Sequence, residues 1–278
     1  MVAPLSTDPA SLALLAAVLL ATGLCAGFIA GLLGVGGGIV VVPVLFQVFS
    51  AFGFDEGISM LMAVGTSLGA MVPTSLSSAR SHYRHGAVEM GVFRAWAPGV
   101  VLGVCAGTLI AGFVRGQVLT GVFIVVTVLI ALNLAIRGEG RAIWPALPTG
   151  WRLQGIGFAI GGVSALMGIG GGMLTVPVMT ACSHPFRKAV ATAAMTGMLI
   201  AIPGAIGFAL AGLGAPGRPP VSIGYVNVFG FALISPATVL AAPWGARIAH
   251  TINARWLRWS FIAFLLVTAG RMLWKLVT

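Results

Sequence analysis

Acidic side chains are nearly missing from this chain: Asp8, Asp55, Glu56, Glu89 and Glu139 are the whole set in 278 residues. All charged residues together make up 7% of it, where a soluble domain carries about 25%. A large solvated surface is thereby excluded. All five acids lie outside the long apolar runs or at their edges, whereas proton and cation pathways through membranes are usually marked by buried carboxylates. Cysteine is also scarce. Cys25, Cys105 and Cys182 are far apart and form no CxxC pair, so neither a disulfide framework nor a thiolate metal site is indicated. No HExxH is present, and no serine in a GxSx setting has a partner histidine in a span. An enzyme is therefore not expected. His82, His85, His184 and His250 fall at segment ends without a carboxylate at ligand spacing. Neither a metal nor a cofactor is expected. The fifteen Lys and Arg give a formal charge of +10, but they are scattered at segment ends and form no basic run, which argues against nucleic-acid binding.

What the chain does have is apolar length. Hydrophobic residues make up 59% of it and the mean hydropathy is +1.07. Runs long enough to cross a bilayer core, about 20 residues, follow one another with short breaks. The chain reads as a multi-pass integral membrane protein in contact with the lipid bilayer. The opening stretch "MVAPLSTDPASLALLAAVLLATG" lacks a basic n-region and reads as the first span, not a cleaved signal peptide.

The sequence repeats itself. "GLLGVGGGIVVVP" (31–43) returns as "ALMGIGGGMLTVP" (165–177), so that Gly34, Gly36, Gly37, Gly38 and Pro43 match Gly168, Gly170, Gly171, Gly172 and Pro177. "AVGTS" returns as "AVATA", which pairs Thr66 with Thr192 and sets Ala193 where the first half has Ser67. Further on, Gly86, Val88, Pro98, Gly107, Leu119 and Phe123 match Gly224, Val226, Pro236, Gly245, Leu257 and Phe261. The order is kept, so two halves are expected: residues 1–138, a linker over 139–150, and residues 151–278. Each half holds one glycine-broken segment (11–49; 151–181) and three unbroken spans (57–80, 88–112, 116–136; 187–213, 223–249, 253–277).

Charge chooses between topologies. If each broken segment crossed once, nine cations would face six across the membrane. If each is a hairpin, Arg80, Arg84, Arg94, Arg137, Arg141, Arg152, Arg187, Lys188, Arg247, Arg255 and Arg258 collect on one side, and only Arg115, Arg218, Arg271 and Lys275 lie on the other. The second split follows the positive-inside rule. A hairpin plus three crossings is an odd count, so the halves insert upside down relative to each other. The linker is then cytoplasmic and both termini are not. The expected fold class is an all-α integral membrane protein of two inverted-topology repeats, each a Gly-broken re-entrant-type hairpin plus three transmembrane helices, the build of many secondary transporters.

The glycines have two readings. Helices restarting near Ile39 and Met173 would leave their first N–H groups unpartnered at the positive end of the helix dipole, with Pro43 and Pro177 in the first turns. Two such ends meeting near the midplane would bind an anion. The other reading is close helix packing by small residues. A nucleotide loop is excluded, since no GK[ST] follows and the third glycine of GxGxxG is absent. Thr66, Ser67 and Thr192, in the spans that follow, either donate to the same anion or bond their own helix carbonyls. Arg94 and Arg271 read as snorkelling residues or counter-charges. Gly107, in an unbroken span, is expected to serve packing, where one methyl matters less than a valine at Gly37 or Gly171. The candidate substrate-binding set is Gly34, Gly36, Gly37, Gly38, Pro43, Thr66, Ser67, Gly168, Gly170, Gly171, Gly172, Pro177 and Thr192, with no catalytic residue.

The doubled GxGGGxxxxP, each copy followed by an "AVGTS"- or "AVATA"-like stretch, resembles the TauE/SafE family of sulfite exporters over nearly the whole chain. The resemblance implies a transporter in the bacterial inner membrane that moves sulfite, thiosulfate, sulfoacetate or other organosulfonates. Alternatives are an anion channel with the same pore and, more remotely, a membrane enzyme. The expected partners are a small anion and the bilayer, and the oligomeric state is open between monomer and homodimer.

Overall fold

A computed structural model of the chain describes residues 9–33, 36–84, 86–137, 144–219, 221–248 and 254–277. The described residues form ten helices: α1 (Pro9–Leu33), α2 (Gly38–Ala51), α3 (Glu56–Arg84), α4 (Met90–Phe113), α5 (Gly116–Arg137), α6 (Trp151–Met167), α7 (Gly172–Ala181), α8 (Phe186–Ala211), α9 (Val228–Ile248) and α10 (Ala254–Val277). Among the described residues six helices are long and apolar enough to cross a membrane: α1, α3, α4, α5, α8 and α9. α10 matches them in length and carries Arg255, Arg258, Arg271 and Lys275 toward its ends. α2 and α7, at 14 and 10 residues, rise about 21 and 15 Å and fall short of a core about 30 Å thick.

One boundary differs from the sequence expectation. Residues 223–227 are not helical: Ser222–Ile223 (β1) pairs antiparallel with Val226–Asn227 (β2). Gly224 turns the chain at φ +56 with its backbone pressed on the Ala209 carbonyl, where no side chain fits. Asn227 then starts α9 by accepting the Gly230 N–H on Oδ1 at 2.8 Å, as Asp55 starts α3 by accepting the N–H groups of Gly57 and Ile58.

Glycine decides which helices touch. On α4, Gly99, Gly103 and Gly107 lie against Gln154, Phe158 and Gly162 of α6, in the same order along both helices. On α1, Gly23 lies against Ile234 and Ala237 of α9, and Gly27 against Thr238. Both pairs therefore run in parallel, with backbones in direct contact as small-xxx-small spacing allows. Gly107 belongs to this seam. A methyl there would stand 2.7 Å from the Gly162 carbonyl oxygen, so this glycine serves packing and the α6 backbone already occupies the space beside it. α3 and α8 cross antiparallel, with Gly204 on Leu68 and Gly197 near Ser75.

The short helices double back. Gly37 lies against Ala26 of α1, while Val44 to Ala51 return to the level of Val18. At the far end of α7 the Trp144 N–H donates to the Ala181 carbonyl at 3.0 Å, and Ser183 Oγ donates to the Trp144 carbonyl at 3.0 Å. α7 thus ends beside Trp144, seven residues ahead of α6.

Candidate functional site

Each double-back needs backbone that only glycine adopts cheaply. Gly36 and Gly37 have φ of +79° and +74° between α1 and α2, and Gly168 has φ of +66° between α6 and α7. The two tips meet backbone to backbone. A methyl on Gly38 would run into the Gly168 carbonyl oxygen, and one on Gly36 would stand 3.2 Å from Gly170 Cα. Close packing and a bare-backbone surface, which the sequence offers as alternatives, are both present at these tips.

A cavity of about 130 Å³ opens beside the junction. Gly36 of one tip and Gly170, Gly171 and Gly172 of the other line it, with Met71 at its base. Ala193, Ala194 and Gly197 of α8 form a second wall without reactive groups. α3 supplies the polar wall: Thr74, Ser75, Ser77, Ser78 and, in the last turn, His82. Among the described residues no acid lines it. α2 and α7 both begin at the junction, and their first N–H groups precede the helical ladder, which starts with Val40 N–H to the Gly37 carbonyl and Met173 N–H to the Gly170 carbonyl. Thr175 Oγ, wholly buried in α7, has no hydrogen-bond partner. The site therefore offers backbone donors, helix-dipole positive ends and hydroxyls, with nothing to neutralise a cation. The side of the junction away from His82 is packed shut. Residues 61–71 of α3 are all buried there, and Gly65 and Leu68 press on Tyr225 and Gly204.

The hydroxyls expected at the site stand behind it. Ser67 Oγ donates to the Gly168 carbonyl at 2.8 Å, so it holds the second tip in place. Thr66 Oγ1 accepts the Asn227 N–H at 2.9 Å and Thr192 Oγ1 accepts the Glu89 N–H at 3.0 Å. Each threonine thus anchors the residue just before a helix of the opposite half. Neither bonds an anion-facing group in this structure, and neither lines the cavity. Pro43 and Pro177 lie six residues into α2 and α7, a turn deeper than a first-turn position. Gly34 lies outside the described residues. Arg94 is exposed on α4, and Arg271 lies in a separate groove.

Sequence reasoning missed Met71, Ser75, Ser77 and Ser78. Their signal was present: "PTSLSS" sets four hydroxyls within five residues inside an apolar span, a costly placement unless the face is wet or bonded. Replacing Ser67 by alanine is expected to cost about 1–3 kcal/mol, because the buried Gly168 carbonyl loses its donor. A melting curve of the purified protein in detergent reads this as a lowered Tm. An unchanged Tm would mean that the hydroxyl does not secure the tip.

The family profile described as Sulfite exporter TauE/SafE matches residues 19–272. The chain belongs to the TauE/SafE family. It is 31% identical over 258 residues to a "Probable membrane transporter protein" of Haemophilus influenzae, covering 92% of this chain and 97% of that one. It is 26% identical to one of Methanocaldococcus jannaschii (87% and 88% covered) and 29% identical to YunE of Bacillus subtilis (70% and 78% covered), which carry the same description. No solved structure matches. The family and these relatives are transporters, not enzymes, and this chain is a membrane transporter.

In this TauE/SafE chain the starts of α4 and α8 also meet in an ion pair. Glu89, before α4, pairs with His184 Nδ1 at 2.9 Å and Lys188 Nζ at 3.1 Å, before and in α8. Its backbone N–H is the one that Thr192 accepts. Such partly exposed pairs add little stability singly, but together they fix where α4 starts against α8.

Proposed function

We propose that this transporter moves small sulfur-containing anions, namely sulfite, thiosulfate, sulfoacetate or other organosulfonates, and that they bind in the cavity beside the glycine tips. The observation that carries this reading is a cavity bounded by the bare backbone of both tips and a hydroxyl wall, with no acid. Oxyanions accept hydrogen bonds, and backbone N–H groups at paired helix starts donate them. The volume of about 130 Å³ is well under the roughly 300–1,000 Å³ of pockets that take drug-sized ligands, which favours a small substrate. The test is a binding and transport panel on the full chain in proteoliposomes. Sulfite, thiosulfate or sulfoacetate is expected to saturate uptake at the lowest concentration; an amine or metal cation as the tightest ligand would overturn the reading.

Residues 1–138 and 151–278 are read as inverted repeats joined by a cytoplasmic linker over 139–150, in the inner membrane of a bacterial cell. The parallel pairs α1 with α9 and α6 with α4, and the antiparallel crossing of α3 and α8, support this. Corresponding helices then point in opposite directions in the two halves. The exchange of Thr66 to Asn227 for Thr192 to Glu89 supports it too. With eleven cations on the side where α3 ends, the cavity faces the cytoplasm. Single cysteines placed at residues 146 and 276 are expected to label from opposite sides of intact cells, 276 from outside. Labelling of both from the same side contradicts the inverted arrangement.

A further inference from the structure

A second, larger recess lies far from the glycine tips, where α2 ends against the last turns of α10. Its volume is about 570 Å³. Val18 of α1 and Val44 and Val48 of α2 give it an apolar wall, and Met272 and Trp274 of α10 close the other side. Its polar groups are Arg271, Lys275, Gln47 and Ser50, and among the described residues no acid lines it. Lys275 Nζ stands 5.0 Å above the Phe46 ring, which holds the ammonium against the recess. Ser50 Oγ is buried with no hydrogen-bond partner in the protein.

The recess opens toward lipid. Val18 and Leu14 on α1 and Leu273 and Trp274 on α10 are exposed large apolar side chains, Trp274 at 74%. On a membrane protein such faces meet acyl chains, and tryptophan near a helix end marks the headgroup level. Two cations converge here at the boundary where headgroup phosphates stand, and among the described residues no carboxylate lines the recess.

We propose that this recess binds the headgroup of an anionic phospholipid, with Arg271 and Lys275 on the phosphate and an acyl chain along Val18, Val44 and Val48. Gln47 then bonds the ester or glycerol oxygens. The chemistry needs one diffuse negative charge next to an apolar chain, which a phospholipid supplies and a soluble anion does not. The inference stands on the groove and on membrane residence alone, and does not depend on which anion the central cavity takes or on the orientation of the repeats.

The test uses the full chain in detergent, titrated with phosphatidylglycerol, phosphatidylcholine or inorganic phosphate and read by native mass spectrometry for bound lipid. Wild type and the control Arg115→Gln, whose cation lies at the start of α5, are expected to bind phosphatidylglycerol alike. Arg271→Gln/Lys275→Gln is expected to bind it roughly thirtyfold more weakly, about fivefold for each cation removed. Phosphatidylcholine is expected to bind all three equally, and millimolar inorganic phosphate not to displace the lipid. Retained affinity in the double variant, within twofold, overturns the proposal. So does displacement by inorganic phosphate, which would make this a soluble-anion site. A melting curve in each lipid closes the remaining case: an equal fall in Tm of the double variant in both lipids means that the cations only offset the C-terminal ends of α2 and α10. If the double variant does not fold, Arg271→Gln and Lys275→Gln taken singly are each expected to show about a fivefold loss.

Discussion

Proteoliposomes carrying Gly171→Val are expected to take up no labelled sulfite above background, while the purified variant still elutes as one sharp size-exclusion peak. Gly171 has φ of −54°, which any residue accepts. A Cβ there would meet Ile200 Cδ1 at 3.0 Å and Thr196 Cγ2 at 3.1 Å, side-chain ends that can shift, and Gly197 N at 3.2 Å. The fold can therefore house the valine, but its methyls cover cavity wall that is bare backbone in the native chain. Losing one donor to a charged ligand costs about 1.5–3 kcal/mol, or tenfold to a hundredfold in affinity. Gly37→Val is expected to abolish transport as well, and to lower Tm. Its φ of +74° is strained for a β-branched residue, and the Cβ would stand 2.9 Å from the Ala26 carbonyl oxygen, a cost of about 1–3 kcal/mol. The repeat sets these two glycines in equivalent positions, yet their local geometry differs. In the second tip the left-handed turn falls on Gly168. Two valine variants that elute as single peaks and transport like wild type would reduce the glycine runs to packing seams.

Ser78→Asp is expected to weaken sulfite binding tenfold to a hundredfold and to leave folding intact. Ser78 is half-buried on the α3 wall of the cavity. A carboxylate about 4 Å from a bound monoanion repels it by about 4 kcal/mol at an effective dielectric of 20, and water at the open end screens that to about 1.5–3 kcal/mol. Ser78→Asn, equal in size and neutral, is expected to stay within about threefold of wild type, and raising the salt concentration is expected to narrow the gap between the two variants. The sign is the informative part. For a cationic substrate the aspartate would tighten binding, so a lower KM in Ser78→Asp would contradict anion transport through this cavity.

The hairpin breaks were legible because glycine and proline punctuate a helix wherever they stand. The helices restart at Gly38 and Gly172, next to the Ile39 and Met173 read from sequence. The error at 223–227 has a local cause that hydropathy hides: "VSIGYVNV" is apolar enough to pass for a span, but Gly224 at positive φ and the Asn227 cap make it a turn and a helix start. Gly107 was legible as a packing glycine, but nothing in its own span reveals that the backbone it packs on is that of α6.

Membrane residence, the repeat, the two breaks and the lack of buried acid depend on composition and on short spacings along the chain, so the sequence by itself determined them. The division of labour at the site depends on residues brought together through space. Ser67 could have faced an anion, its own helix or another helix; it bonds Gly168, 101 residues away, because α3 crosses the second tip at that height. Thr66 reaches Asn227 across 161 residues in the same way. A hydroxyl can donate its one proton or accept on its oxygen, and its partner is whichever acceptor or donor packing brings within 3 Å or so. Which glycine shows bare backbone to the cavity and which is covered by its counterpart was likewise decided only where the two tips met.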